Sequence, residues 1–125
     1  MKNYVTIKNK KLPAIFAITP EEQEIGLMWR PWPPPIMCFL FDSYDIRKFW
    51  MKNTISPLDI IFCNNNKVID ICHGMPMSED YIGPEKETNL VVELPFGYAK
   101  HLGLSIGDEI KTHHSLQSIA SKYLK

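Results

Sequence analysis

Four charged side chains stand where charge is costly. Arg30, Lys52, Asp59 and Glu93 each lie beside or within runs of large apolar residues. A charge buried without a partner is strongly unfavourable or shifts its pKa, so each demands an explanation. Their types fit a polar pocket in which Lys52 and Arg30 bind an anion and Asn53 contributes an amide. In such a pocket a carboxyl of Asp59 or Glu93 could also serve as a general base. They fit a purely structural role too, with ion pairs such as Arg30–Glu93 or Lys52–Asp59. Asn53 and Thr54, just before Pro57, suit capping of the backbone at a bend.

Other chemistries find little footing. His73 adjoins Cys72, His113 and His114 are neighbours, and His101 stands alone, so no pair has the spacing of a zinc site. No metal or other cofactor is expected. No serine sits in a G-x-S-x-G elbow, and no cysteine has a neighbour that would lower its pKa. No glycine loop is built to cradle a phosphate. These absences favour a non-enzymatic protein.

Two segments have the composition of contact surfaces. Trp29-Arg30-Pro31-Trp32-Pro33-Pro34-Pro35 contains four prolines, which exclude helix and central strand and predict a stiff, extended loop. Trp29, Trp32, Pro33 and Pro34 would meet a protein partner there, or the tryptophans would fold back and plug one end of the domain. The tail places Leu116, Ile119, Ala120 and Tyr123 at helical spacing. Leu116 and Tyr123 would then face this domain or a neighbour's surface.

The elements that must position these residues are mostly short strands. Tyr4–Ile7 and Leu12–Ile18 read as strands hinged at Asn9-Lys10. Thr19-Pro20-Glu21-Glu22 is a strong helix start with a capping box, and the helix should run to about Met28. Ile36–Phe41 is an apolar strand and Asp42–Arg47 a turn. Phe49–Thr54 and Leu58–Cys63 read as strands separated by Pro57. In the first of them alternation would set Lys52 with Trp50 and Thr54 on one face. Asn64 to Lys67 forms a tight turn into Val68–Cys72. After a long polar loop, 73–89, come a strand at Asn89–Leu94, a short helix near 96–102 and a last strand near Glu109–Thr112. The fold class is therefore mainly β, an antiparallel sandwich or barrel with two short helices and a C-terminal helix.

Composition bounds the rest. At 125 residues the chain is one domain, 1–125, without internal repeats. Lys plus Arg balances Asp plus Glu at 14 each, so charge offers no argument for nucleic acid or a membrane. Three cysteines in apolar runs read as buried thiols of a reducing compartment. No signal-peptide or membrane-spanning stretch is present, and a cytoplasmic location is expected.

The central segment Phe49-Trp50-Met51-Lys52-Asn53-Thr54-Ile55-Ser56-Pro57-Leu58-Asp59 resembles the signature of the family called domain of unknown function 192. The resemblance recurs in order at Thr19–Arg30, Cys38–Phe41, Val91–Gly97 and Leu104–Ile110, covering about residues 13–111. It leaves 113–125 as a helical extension. It implies a small, mostly antiparallel β-sandwich or barrel with one small helix, and no agreed enzymatic activity. The proline cluster after Arg30 departs from the family pattern, where a less proline-rich linker and a Gly-Met pair are usual. Some members come from viruses of bacteria, so a virion component is one option. The leading expectation is a small β domain that binds a protein partner or itself, as part of a larger assembly. The alternative is a small-ligand-binding or hydrolytic domain working through Lys52, Asp59 and Glu93.

Overall fold

The apolar runs at 36–40, 58–63 and 90–95 are nearly unbroken because the strands they form are covered on both faces. The computed structural model describes residues 3–115. Seven strands lie in one sheet: β1 (Tyr4–Ile7), β2 (Lys10–Ala17), β3 (Ile36–Ile46), β4 (Leu58–Asn64), β5 (Lys67–Gly74), β6 (Glu87–Pro95) and β7 (Ile110–His113). Their order is β5-β4-β6-β3-β2-β1-β7. All neighbours run antiparallel except β2 and β3, which are parallel.

The sheet curls into a half-barrel, and its two edges meet at one rim. There Lys67 bridges Glu109, and the Ile110 N–H donates to the Asn66 carbonyl at 2.8 Å. One core cluster draws on all seven strands and so fills the inside of the curl. It includes Val5, Ile7, Cys38, Ile61, Val92, Leu94 and Ile110. A second cluster, with Leu27, Phe39, Met51, Ile60, Phe62 and Val91, covers the outer face of β3, β4 and β6. The mainly β architecture expected from sequence is what forms.

Local signals act as their chemistry dictates. Thr19 accepts the Glu22 N–H, Glu22 accepts the Thr19 N–H, and helix α1 (Pro20–Ile25) starts from that capping box. It ends three residues before Met28 because Gly26 takes a positive φ of 50°. Asn65 and Asn66 both adopt left-handed backbone in the β4–β5 hairpin. Helix α2 is short, Tyr98–His101.

Two expected elements differ. Asp42–Arg47 is no turn: β3 continues through Ile46 across a register shift, because Asp45 and Ile46 pair with Thr88 and Glu87 of β6. Arg47 then anchors the strand end by donating from Nε to the Thr88 carbonyl at 2.9 Å. Phe49–Thr54 is no strand either. Asn53 takes φ 56°, and the Thr54 N–H closes a turn onto the Met51 carbonyl at 3.0 Å. The segment is a loop lying across the outer face of the sheet. The tail helix expected after Thr112 falls largely outside the described residues.

Candidate functional site

The loop at 49–57 is fixed by backbone bonds to two other loops. Phe49 and Ile82 exchange N–H···O bonds at 2.8 Å, and the Met51 N–H donates to Ser78. The Met77 N–H donates to Thr54, and the Trp29 N–H to Asn53. Ser56 Oγ donates to the Arg30 carbonyl at 2.8 Å. Met51 plugs into the outer core, 1% exposed, and β5 makes room for it at Gly74. The mixed polarity of this stretch follows from that role. Phe49 and Met51 face the sheet, while its polar groups tie the loop together.

Between this loop, α1 and the outer face of the sheet lies a pocket of about 360 Å³. Leu27 and Met28 wall it from the helix side, Phe39 and Phe41 from β3, and Phe49, Trp50, Lys52 and Thr54 from the loop. Glu93 of β6 also lines it. Trp50, Lys52 and Thr54 thus share a surface as strand alternation would have placed them, although a loop does the placing.

Glu93 is the chemically distinctive group. It is 4% exposed and pairs in register with Met37 on one side and Ile60 on the other. No described side chain lies within hydrogen-bonding or ion-pairing distance of its carboxyl. Burial pushes its pKa up to about 8, so the acid form predominates at neutral pH. The basic side chains around the pocket have partners other than Glu93. The Arg47 guanidinium lies 3.7 Å from the Phe41 ring centroid, Lys48 bonds Glu85 and the Gly83 carbonyl, and Lys52 Nζ sits 5.1 Å from the Trp50 ring. Burial lowers the Arg47 pKa, against the opposing pull of Asp45 and Asp42.

The four charges grouped by sequence do not converge. Lys52 and Glu93 line the same pocket without touching. Asp59, 1% exposed, belongs to the other side of the sheet. Its Oδ2 accepts the N–H groups of Gly97 and Ala99 at 3.0 Å each, and its Oδ1 lies 2.8 Å from His73 Nδ1. Asp59 is thus a buried cap for α2, and its partner is His73 rather than Lys52. Arg30 is exposed and forms no ion pair with Glu93. Asn53 stands behind the wall, its amide 4.0 Å from the Met28 sulfur.

Of the contact residues, Trp29 and Trp32 are 61% and 54% exposed and do not plug the domain. Pro33 is exposed and Pro34 buried. Leu116 and Tyr123 lie outside the described residues. Sequence reasoning missed the walls, Leu27, Met28, Phe39, Phe41 and Phe49, since nothing local distinguishes a pocket wall from core. No helix among the described residues is long and apolar enough to cross a membrane.

A family model described as "Uncharacterized ACR", domain of unknown function 192, matches residues 3–112. A protein of unknown function from Novosphingobium aromaticivorans DSM 12444 has a similar crystal structure. It is 33% identical, with a TM-score of 0.79 over 86% of this chain and 83% of that one. A proposed transcription regulator from Sinorhizobium meliloti 1021 is similar too. It is 32% identical, with a TM-score of 0.77 over 88% of this chain and 90% of that one. No curated protein matches.

Proposed function

The chain belongs to the domain of unknown function 192 family, and on that scaffold we propose that it is a non-enzymatic small-ligand-binding domain. The observation that carries this reading is Glu93, a residue only 4% exposed, whose carboxyl has no partner among the described residues and opens onto an aromatic-walled pocket. Small-molecule sites are concave and pair apolar walls with placed polar groups; here Gln23, Glu24, Arg47, Lys48 and Lys52 line the pocket beside the aromatic rings. Binding is favoured over turnover because no described side chain sits within hydrogen-bonding reach of Glu93 to form a proton relay. Lys52, beside Trp50 at the same pocket, would meet a second polar group of the ligand.

The test is a fragment screen read by amide and indole NMR shifts. Hits should perturb Trp50, Thr54 and Glu93 together, and polar hits should weaken in Glu93→Gln. A screen whose hits never move residues 49–54 would overturn the reading.

A second reading, a protein-binding surface within a larger assembly, is favoured by the exposure of Trp29 and Trp32 beside the proline cluster. Exposed large aromatics are the side chains from which interface hot spots are built. Trp32→Ala should then abolish capture of a stoichiometric partner from native lysate without lowering Tm. Undiminished capture would remove this surface from consideration.

A further inference from the structure

Resting on the pocket reading above, we infer that the ligand is a cation, an ammonium or guanidinium group seated on the Glu93 carboxyl with an apolar body against the aromatic walls. A carboxylate offers about four lone-pair sites and a carboxylic acid a single donor. A neutral acceptor would engage only that donor, and a purely apolar ligand would seal the carboxyl in without any partner. An ammonium or guanidinium brings several N–H donors and forms the stronger, charge-assisted bond.

Among the described residues no side chain supplies such a cation at Glu93. Arg47 is tied to the Thr88 carbonyl at 2.9 Å and to the Ser43 carbonyl at 2.9 Å, and Lys48 is tied across to the 83–85 loop. Lys52 rests over Trp50 and makes no ion pair among the described residues. The walls point the same way, because Phe39, Phe49 and Trp50 line the space that Glu93 lines. Aromatic faces attract cations, most strongly where water is excluded. Phe39 and Phe49 pack edge to face, at 89° with centroids 5.0 Å apart.

Binding then carries a proton balance. The empty pocket holds Glu93 as the acid, the incoming cation requires the carboxylate, and the displaced proton passes to the buffer. Calorimetry of the full chain with phenethylammonium, in two buffers of different ionisation enthalpy at neutral pH, should show nearly one proton released per ligand. Affinity should rise about tenfold per pH unit below the Glu93 pKa and level off above it. The uncharged isostere 2-phenylethanol should bind far more weakly, and Glu93→Gln should lose the proton release together with most of the affinity.

Binding of 2-phenylethanol that matches phenethylammonium, or that weakens as pH rises, would overturn the cation while leaving the pocket intact. Phenethylammonium binding without proton release would overturn it as well. Failure of both probes would also overturn it, and the fragment screen would then decide separately whether the pocket binds anything. Because the pH dependence is read on the parent chain, the outcome does not hinge on Glu93→Gln folding.

Discussion

Asp59 and Glu93 lie on neighbouring strands and point to opposite faces of the sheet. In the β4–β6 register Ile60 stands opposite Glu93 and Asp59 opposite Leu94, so the two carboxyls are one residue out of step. Asp59 therefore serves the inner side and the cap of α2, and Glu93 serves the outer pocket. One-residue parity separates a structural carboxyl from a candidate binding one.

Asp59→Ala should leave the Gly97 and Ala99 N–H groups without their acceptor. We expect a loss of roughly 2–4 kcal/mol in urea unfolding. Ligand binding in the Glu93 pocket should be unchanged, since the pocket is on the other face. His73→Ala should cost less than about 1 kcal/mol, because its side chain is 60% exposed. A Tm unchanged in Asp59→Ala would refute the capping role.

Glu93 should make stability depend on pH in a known direction. Its folded pKa of about 8 lies above that of an unfolded glutamate, so the folded state holds the proton more tightly. Below the unfolded value both states are protonated and the group has no effect. Between that value and about 8 the unfolded state ionises first. Stability then falls as pH rises, by up to roughly 1.4 kcal/mol per pH unit from this group. Above the folded pKa the loss is complete and the curve flattens. Glu93→Gln should remove this slope and be more stable than the parent at alkaline pH. Parallel urea midpoints for the two proteins across that range would show that Glu93 is not buried as described.

Gly74→Ala would set a methyl 2.4 Å from the Met51 sulfur. Met51 is 1% exposed, so its thioether must repack against its neighbours, or the loop at 49–57 or β5 must shift. We expect destabilisation of about 1–3 kcal/mol by overpacking. Adding Met51→Ala should recover part of it, and a double-mutant cycle in thermal unfolding would measure that coupling. Strict additivity would mean the two residues do not touch.

The three thiols should resist alkylation in the native protein. Burial pushes Cys38 and Cys63 up to about 12, with each other's proximity adding to the shift at Cys38. Burial and then Asp70 push Cys72 up to about 11. Iodoacetamide at mildly alkaline pH should leave all three unmodified until denaturant is added, as read by intact mass. Native labelling of Cys38 would contradict its place inside the curl.

Much of this protein is written locally. The capping box at Thr19, the paired left-handed asparagines of the β4–β5 turn and the apolar runs of β3, β4 and β6 all act within a few residues of chain. For that reason the helix start, the hairpin and the mainly β class were legible in the sequence, as were Glu93 and Asp59 as charges needing explanation. Which face of the sheet each charge serves was decided by long-range pairing. Alternation fixes which residues share a face within one strand, but only the register between β4 and β6 relates Asp59 to Glu93. The loop at 49–57 escaped for a related reason. Its apolar residues meet an outer sheet face that exists only once β3, β4 and β6 have assembled. The pocket is the space left where that loop, α1 and the sheet fail to close completely, so only the tertiary structure could reveal it.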